Sequence, residues 1–139
     1  MSSSNLIPLP LSIPSEQKRE TRSQFGALCY RVVDEKIQIL LITSRRTKRW
    51  IIPKGWPENG MTPAEIVATE ASEEAGVRGK LFERPIGVYC YEKIISEGSS
   101  LPCIVTVYLL KVISLATEYK EENQRSRKWF TRKQAAKRV

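Results

Sequence analysis

Three glutamates near the middle of the chain have the spacing of a carboxylate metal site. Glu70, Glu73 and Glu74 stand directly before Gly76 in the segment GWPENGMTPAEIVATEASEEAGV, residues 55–77. At about 100° per residue on a helix, the three carboxylates cluster on one side. A stripe of small apolar residues lies roughly 120° away and predicts a packed flank: Ala64, Val67, Ala68, Ala71 and Ala75.

Both ends of this predicted helix are marked in the sequence. Thr62 and Glu65 form a Thr-x-x-Glu capping box, and Pro63 suits the first helical position. Gly76 followed by Val77 is typical of a left-handed helix stop with an apolar residue after it. The helix is therefore predicted to run from about residue 63 to residue 75.

The acidic side of the helix has two interpretations. Glu70 and Glu74 are like charges at i and i+4, which destabilises a helix by roughly 0.2–0.5 kcal/mol without a counter-ion. A solvated acidic face, with Arg78 as a partial counter-ion, is one interpretation. The preceding segment IIPKGWPENG favours a metal site instead, because its prolines and glycines predict an ordered loop that brings backbone carbonyls and Lys54 over the carboxylates. Oxygen ligands alone suit Mg²⁺ or Mn²⁺.

The segment resembles the Nudix box, G-x5-E-x7-R-E-U-x-E-E-x-G-U, where U is an aliphatic residue. Met61 stands where the family has its first glutamate, Thr69 where it has arginine, and Ala71 where it has an aliphatic residue. Losing the first two together removes a pair of opposite charges and leaves neither one unpaired. The other positions fall on the pattern without a gap: Gly55, Glu70, Glu73, Glu74, Gly76 and Val77.

The resemblance extends from about Gln24 to Val139, and within the family it is to the diphosphoinositol polyphosphate phosphohydrolase branch, whose members also cleave diadenosine polyphosphates. It is carried by FGALCYRV, ILLITSRRTKRWIIPKG, EEAGVRGKL and RSRKWFTRKQAAKRV. The resemblance implies an α/β fold, a Nudix-type α/β/α sandwich with a mixed central sheet. Residues 21–139 are predicted to be this domain, and residues 1–20 a flexible N-terminal arm because of their prolines and polar punctuation.

Composition agrees with a single domain in a reducing compartment. The chain has 139 residues, of which 41% are hydrophobic, enough to bury a core. Its three cysteines are an odd number with wide spacing, which argues against disulfides and zinc and for a cytoplasmic location. No signal peptide and no apolar run of about 18 residues is found, so no membrane partner is expected. The chain has no histidine, which excludes Ser-His and Cys-His hydrolases.

The remaining elements can be placed coarsely from apolar and β-branched runs. A hairpin is expected around the turn at Asp34 and Glu35, and a polar loop between two later strands. The predicted strands, loop and helix are the hairpin Phe25–Val33 and Ile37–Thr43, the short strand Trp50–Ile52, one or two strands in Lys80–Ile95, the loop Ser96–Leu101, the strand Cys103–Ile113, a short strand ending at Trp129 and Phe130, and the helix Thr131–Val139.

The net charge is +8 although the predicted helix is acidic, so many basic residues must lie outside that helix. Guanidinium groups bind phosphate oxygens bidentately, so basic clusters suit a polyphosphate substrate, although solvated surface charge is the alternative for any single residue. Predicted substrate-binding residues are Arg22, Arg45, Arg46, Lys48, Lys54 and Arg125. The resemblance implies that Arg22, Arg46 and Arg125 match positions that contact the inositol polyphosphate. Trp56 could stack on a base or simply pack in its turn.

The sequence therefore predicts metal-assisted hydrolysis of a diphosphate bond in a nucleoside- or inositol-polyphosphate-type substrate. Glu70, Glu73 and Glu74 are the predicted catalytic residues, and with the Gly55 carbonyl they are the predicted ligands of Mg²⁺ or Mn²⁺. The proton acceptor is one of these carboxylates, or Glu121 or Glu122. The alternatives are a Nudix-fold polyphosphate- or nucleotide-binding module that has lost turnover, and a basic nucleic-acid-binding domain, for which no motif is found. A monomer or a dimer is expected.

Overall fold

The computed structural model describes residues 21–139, and the arm predicted for residues 1–20 lies outside the described residues. Its strands and helices, in chain order, are β1 Arg22–Val33, β2 Lys36–Thr43, β3 Trp50–Ile51, β4 Lys54–Gly55, α1 Pro63–Ala75, β5 Val77–Leu81, β6 Gly87–Ser96, β7 Ser99–Leu115, β8 Arg127–Thr131 and α2 Arg132–Arg138.

The strands of the described residues form one mixed sheet. The order is β3-β2-β1-β7-β5, with β4 also pairing with β1, β6 with β7, and β8 with β2. The two long central strands β1 and β7 are parallel, from Arg22 opposite Cys103 to Tyr30 opposite Lys111. The other pairs are antiparallel. The mixed sheet that the family resemblance implied is thus confirmed.

Alternation along the strands gives the sheet two apolar faces. One face carries Ala27 and Cys29 of β1 with Leu40 and Ile42 of β2, and it packs against α1. We call it the packed face. The opposite face carries apolar residues of the same strands and packs in part against Ala135 of α2, and we call it the open face: Leu28, Ile39, Leu41, Val105 and Val107.

Helix α1 begins and ends as predicted. Thr62 and Glu65 make both hydrogen bonds of the capping box, and Gly76 has a φ of 67°, in the left-handed region. The predicted apolar stripe is wrong at one position, because Ala68 is exposed. Ile66 and the carboxylate residue Glu74 are buried with the stripe instead, because the helix turns part of its acidic side toward the sheet.

One loop prediction is wrong. Ser96–Leu101 was expected to be a polar loop, but β6 reaches Ser96 and β7 begins at Ser99, so the connection is a tight turn. Gly98 supplies the positive φ of 75° that such a turn requires. Pairing between the two strands satisfies the backbone of these polar residues. Lys80–Ile95 contains parts of two strands, β5 and β6, which was one of the two expectations.

Helix α2 is much shorter than α1, with seven residues against thirteen. It begins at the second capping box of the described chain, formed by Thr131 and Gln134. Neither helix of residues 21–139 is long and apolar enough to cross a membrane. Among residues 21–139, part of the open face beside α2 lines the site.

Candidate active site

Glu70 and Glu74 form a carboxylate pair one helical turn apart on α1. Glu74 is 5% exposed, and the two side chains share a hydrogen bond. The backbone N–H of Lys54 donates to Glu74 Oε1 at 3.3 Å. This contact exists because β4 pairs with β1 at Phe25 and Gly26, which holds the proline- and glycine-rich loop over the C-terminal half of α1. The loop lies over these carboxylates as the sequence predicted.

The environment of Glu74 disfavours its negative charge. Burial raises the pKa of the Glu74 carboxyl to about 8, and the hydrogen bond with Glu70 adds to the rise, while Arg125 opposes it. Near neutral pH the Glu74 carboxyl therefore favours its protonated form in the absence of added positive charge. A divalent cation would supply that charge and displace the proton.

Gly55 provides the space in which the Glu70 carboxyl lies. A Cβ atom at residue 55 would stand 2.5 Å from the Glu70 carboxyl carbon, closer than real contacts allow. Gly55 is buried, and it is paired with Phe25 of β1, so the backbone there has little freedom to move away. Only glycine at residue 55 lets the loop and the carboxylate pair approach this closely.

Arg125 connects the pair to a third carboxylate. Its Nε donates to Glu121 Oε1 at 2.8 Å, and its Nη2 lies 3.9 Å from Glu74 Oε1. Its Nη1 donates to the Thr43 carbonyl at 3.1 Å. The side chains of Arg125 and Glu121 are 8% and 12% exposed, so this guanidinium is held between two carboxylates in a mostly buried position. Its assignment as a phosphate ligand stays a prediction.

The carboxylate pair lies in the wall of a cavity of about 630 Å³. Most of the site residues predicted from the sequence line this cavity. Trp56 and one of the two candidate bases near the C-terminus line it as well. The predicted residues in its lining are Arg45, Arg46, Lys54, Gly55, Glu70, Glu74, Glu121 and Arg125.

Four predicted residues do not line this cavity: Arg22, Lys48, Glu73 and Glu122. Glu73 is directed toward Lys120, whose Nζ lies 3.5 Å from Glu73 Oε1, and its side chain is 34% exposed. Lys48 is exposed in the turn between β2 and β3, where its φ is 56°. Nothing in the structure tests the roles of these four residues, which therefore stay predictions.

Lys54 lies at the junction between the carboxylate pair and the rest of the cavity. Burial lowers the pKa of the Lys54 ammonium to about 8, and the negative charge of Glu74 opposes that change. Its Nζ lies 4.9 Å from the centre of the Tyr91 ring, a cation–π contact. The Tyr91 hydroxyl donates to Gln24 Oε1 at 2.6 Å, which fixes the ring beneath the ammonium.

The basic turn between β2 and β3 borders the cavity mouth. Arg46 Nη1 donates to the carbonyl of Ile95 near the tip of the β6–β7 hairpin. Arg45 Nη1 donates to Gln124 Oε1 at 3.3 Å. Both arginines are exposed and carry no carboxylate partner in the described residues. An anionic ligand can therefore compete with these uncharged acceptors for the two guanidinium groups.

Sequence reasoning missed the cavity residues supplied by the open face and by β6: Gln24, Leu28, Ile39, Trp50, Tyr89, Tyr91 and Lys93. The alternation of Tyr89, Tyr91 and Lys93 along β6 was a usable signal, since residues two apart share a face of a strand. The sequence did not show that β6 pairs with β7, or that the odd-numbered side chains of β6 lie on the open face.

The residues of the site fit a hard divalent cation in type, but they do not form a complete set of ligands. Within residues 21–139, no three Asp, Glu, His or Cys side chains are grouped as a metal site. Glu70 and Glu74 lie one helical turn apart on α1, and both meet the β4 loop, Glu70 at Gly55 and Glu74 at the Lys54 N–H. Mg²⁺ commonly binds through one or two carboxylates, waters and substrate phosphates, which suits such a pair.

Comparison with known proteins identifies a family. A sequence profile described as NUDIX domain matches residues 22–139. The Arabidopsis thaliana protein "Nudix hydrolase 12, mitochondrial" is 35% identical over 106 residues, which are 72% of this chain and 51% of that protein. Human diphosphoinositol polyphosphate phosphohydrolase 3-alpha is 34% identical over 119 residues, 84% of this chain and 68% of that protein. The chain thus spans about half the length of the plant relatives it matches.

Solved structures agree in fold. A C. elegans Ap4A hydrolase superposes with a TM-score of 0.62 at 20% identity, over 85% of this chain and 86% of that one. The NUDIX domain of Shewanella oneidensis NrtR, in complex with ADP ribose, has a TM-score of 0.64 at 11% identity, over 91% and 83%. At these identities the likeness shows the fold alone, which is the α/β sandwich with a mixed sheet expected from the sequence.

Proposed function

This chain belongs to the Nudix family, and from that premise we propose that it is a metal-dependent hydrolase of a diphosphate bond in a nucleoside- or inositol-polyphosphate-type substrate. The observation that carries the proposal is the carboxyl pair of buried Glu74 and partly buried Glu70, in the wall of a cavity that basic residues also line. The names of similar proteins, diphosphoinositol polyphosphate phosphohydrolases and an Ap4A hydrolase, support the same class of bond.

Glu70 and Glu74 would hold the cation, Mg²⁺ or Mn²⁺, with the Gly55 carbonyl. Such a cation neutralises phosphate charge and lowers the pKa of water. Residues of the chain would position the two carboxylates and bind the substrate phosphates. Gly55 keeps the Glu70 carboxyl in position, and the Lys54 N–H together with Arg125 fixes the orientation of Glu74. The Arg46 guanidinium and the Lys54 ammonium would bind substrate phosphates at the mouth and at the junction.

The proton released by the attacking water needs an acceptor inside the cavity. Of the two candidates near the C-terminus, Glu121 lines the cavity and Glu122 does not. Glu121 Oε1 accepts from Arg125 Nε at 2.8 Å, and the same guanidinium lies 3.9 Å from Glu74 Oε1, so Arg125 holds Glu121 beside the carboxylate pair. Glu121 is therefore placed to act as an acceptor alongside that pair.

The compartment and the assembly are separate proposals. We propose a cytoplasmic protein, supported by three cysteines that are free thiols, although the plant relatives are named as mitochondrial. Cell fractionation tests the location, and light scattering distinguishes a monomer from a dimer. A small phosphorylated molecule is the proposed partner, and its recognition does not require nucleic acid or membrane.

A phosphate-release screen tests the proposed hydrolysis. The purified chain is assayed with Mg²⁺ and with Mn²⁺ on inositol pyrophosphates, diadenosine polyphosphates, ADP-ribose and triphosphorylated RNA. We expect turnover of at least one of them, and we expect Glu74→Gln to lower kcat by about 100-fold or more, since each group that stabilises the transition state contributes that much. The control is Glu118→Gln, an exposed glutamate outside the cavity.

Two results would contradict the proposal. Turnover by Glu74→Gln equal to that of the wild type would remove the carboxylate pair from the mechanism. Ligand binding without turnover of any substrate would favour the binding module expected as the alternative. In that case Met61→Glu combined with Thr69→Arg restores the two charges that the family pattern has and this chain lacks, and recovered turnover would assign the loss to those positions.

A further inference from the structure

The chain between β7 and β8 carries two side chains to the carboxylate pair. Strand β7 ends at Leu115 and β8 begins at Arg127, and we call residues 116–126 the β7–β8 connection. Glu121 and Arg125 both lie on it, outside any strand or helix. Arg125 donates to Glu121 and lies 3.9 Å from Glu74 Oε1. The placement of Glu121 beside Glu74 therefore depends on what holds the connection.

Backbone hydrogen bonds attach the connection to the C-terminal end of α1 at two points. The Ala116 N–H donates to the Gly76 carbonyl at 2.8 Å, directly after the helix. The Glu121 N–H donates to the Glu73 carbonyl at 2.9 Å, inside the last helical turn. Lys120 adds an ion pair with Glu73 at 3.5 Å, but its side chain is exposed and the pair contributes little. The two ends of residues 116–121 are thus both fixed to α1.

Arg127, the first residue of β8, bridges the helix and the connection. Its Nη1 donates to the Ala75 carbonyl and its Nη2 to the Ala116 carbonyl, both at 2.7 Å. A guanidinium group is planar and holds its donors in a rigid fork, so the two bonds fix the position of one carbonyl relative to the other. Its Cζ also lies 4.7 Å from the centre of the Tyr119 ring, in the middle of the connection.

The surroundings of Arg127 leave it little room to move. A Cβ atom on Gly76 would stand 2.6 Å from Tyr119 Cδ1 and 2.7 Å from Arg127 Nη1, so the three groups meet closely only because residue 76 is glycine. On the other side, the backbone of Arg127 pairs with Ile42 of β2, which is fully buried. Arg127 is therefore anchored in the sheet at one end and in the helix terminus at the other.

Capping of α1 accounts for only one of these contacts. The last turn of α1 has no basic residue of its own, and a cation at a helix C-terminus is stabilising. That role requires the bond to the Ala75 carbonyl alone. The second bond, to Ala116, and the contact with the Tyr119 ring are both made to the connection. They indicate that Arg127 also sets where the connection lies.

We propose that Arg127 is a positioning residue for Glu121, which it holds beside the Glu74 carboxyl by fixing the β7–β8 connection to the end of α1. The inference rests on the proposed function, in which Glu121 accepts a proton. Arg127 does not line the cavity, so it acts through the connection rather than on the substrate. A catalytic group displaced by about 1 Å loses up to about 100-fold in rate, so a loosened connection lowers the rate.

A double-mutant cycle on kcat tests this inference. Arg127→Ala should lower kcat by about tenfold and leave KM within about twofold, since a positioned base contributes at least about 100-fold and a misplaced one loses part of that. In a Glu121→Gln protein the same substitution should cost less than about twofold, because no base remains to be misplaced. Equal losses in the two backgrounds would overturn the inference. So would a wild-type kcat in Glu121→Gln, which would then need no positioning.

Arg31→Ala is the matched control for lost stability. Arg31 also lies over an aromatic ring, that of Trp129 at 3.9 Å, and donates to Gln38 Oε1 at 2.7 Å. These contacts are to β8 and β2 rather than to the connection, so Arg31→Ala should lower the Tm and leave kcat unchanged. Arg127→Lys keeps the charge but lacks the planar fork. It replaces Arg127→Ala in the cycle if that variant does not fold, and its loss should likewise depend on Glu121.

Hydrogen exchange tests the placement of Glu121 without any turnover. In Arg127→Ala the Glu121 amide should exchange about tenfold faster than in the wild type, because its opening no longer breaks the Arg127 bonds. In Arg31→Ala it should stay within about twofold of the wild-type rate. Unchanged exchange of this amide in Arg127→Ala would overturn the inference.

The proposed hydrolysis and the positioning by Arg127 fail separately. Faster Glu121 exchange in Arg127→Ala, in a protein that turns over no substrate, would contradict the enzyme and leave the placement of Glu121 by Arg127 standing. Turnover by the wild type with unchanged Glu121 exchange in the variant would do the reverse.

Discussion

The packed face and the open face of the sheet are built from the same strands, yet part of the open face lines the cavity, whereas the packed face is filled by α1. Cys29 and Leu40 on the packed face are 0% and 1% exposed, whereas their neighbours Leu28 and Ile39 on the open face are only partly buried. Among residues 21–139, α1 covers the packed face with Val67, Ala71 and Ala75, while α2 adds Ala135 to the cluster on the open face. The same strands therefore contribute to a core on one side and to both a core and a cavity wall on the other.

The carboxylate pair lies on α1, which packs on the packed face, and it also lines the cavity, so a single added methyl group there should have the largest effect. Gly55→Ala would place Cβ 2.5 Å from the Glu70 carboxyl carbon and force that side chain away. A displacement of about 1 Å in a catalytic group can cost about 100-fold in rate, and we expect a loss of kcat of that order. Circular dichroism should show an intact fold. Unchanged turnover in a folded variant would mean that the position of Glu70 is not needed.

A second experiment compares the two faces directly by adding the same bulk to each. Ala71 on α1 is fully buried in the packed face, so Ala71→Leu should destabilise the protein by about 1–3 kcal/mol through overpacking. Ala136→Leu on α2 points into the cavity and should change stability by less than about 0.5 kcal/mol. Chemical denaturation measures both. Similar losses in the two variants would mean that the cavity at Ala136 is as tightly packed as the core.

The smallest expected effect is on stability as a function of pH. The pKa of Glu74 is raised from 4.5 to about 8 by burial, so in metal-free protein the native state keeps a proton that the unfolded state releases. That stabilisation is complete below about pH 4.5 and is lost as the pH rises to about 8. We expect Glu74→Gln, which stays neutral, to be the more stable protein at pH 8 in EDTA, by a few degrees in Tm, at roughly 4 °C per kcal/mol.

This pH dependence has a built-in control. Wild type and Glu74→Gln should melt at similar temperatures at pH 4.5, where both side chains are neutral. Added Mg²⁺ should then raise the Tm of the wild type at pH 8 and do little for the variant, because a ligand stabilises only the state that binds it. Parallel pH curves for the two proteins would show that Glu74 is ionised in the metal-free state.

Local signals in the sequence predicted the parts of the structure that are locally determined. The ends of α1 follow from capping residues within the helix itself, and the hairpin β1–β2 follows from alternation around Asp34 and Glu35. The extension of β6 and β7 through Ser96–Leu101 could not be predicted in this way, because strand pairing overrides the polar composition of the segment. The fold class and mixed sheet came from the family resemblance.

The residues of the site can likewise be divided into those that the local sequence predicted and those that depend on distant packing. Gly55, Glu70 and Glu74 lie on a continuous segment, so their proximity could be predicted from helix geometry and the loop before it. The direction of Glu73 toward Lys120, and the use of Arg125 as a partner of Glu121, depend on how the chain after β7 packs on α1. The cavity wall formed by Tyr89 and Tyr91 depends on the face that β6 presents when it pairs with β7, which is not encoded near the carboxylates.

The C-terminal end of α1 accepts a hydrogen bond from a residue far along the chain. Its last turn contains no basic residue, and Arg127 of β8 donates to the carbonyls of Ala75 and Ala116, both at 2.7 Å, while lying over the ring of Tyr119. The Ala75 carbonyl, the last of the helix that carries Glu74, therefore has its side-chain donor only while β8 is docked. Amide protons at the end of α1 should thus exchange with solvent in the same opening event as those of β8, so that the site and the last strand unfold as one cooperative unit.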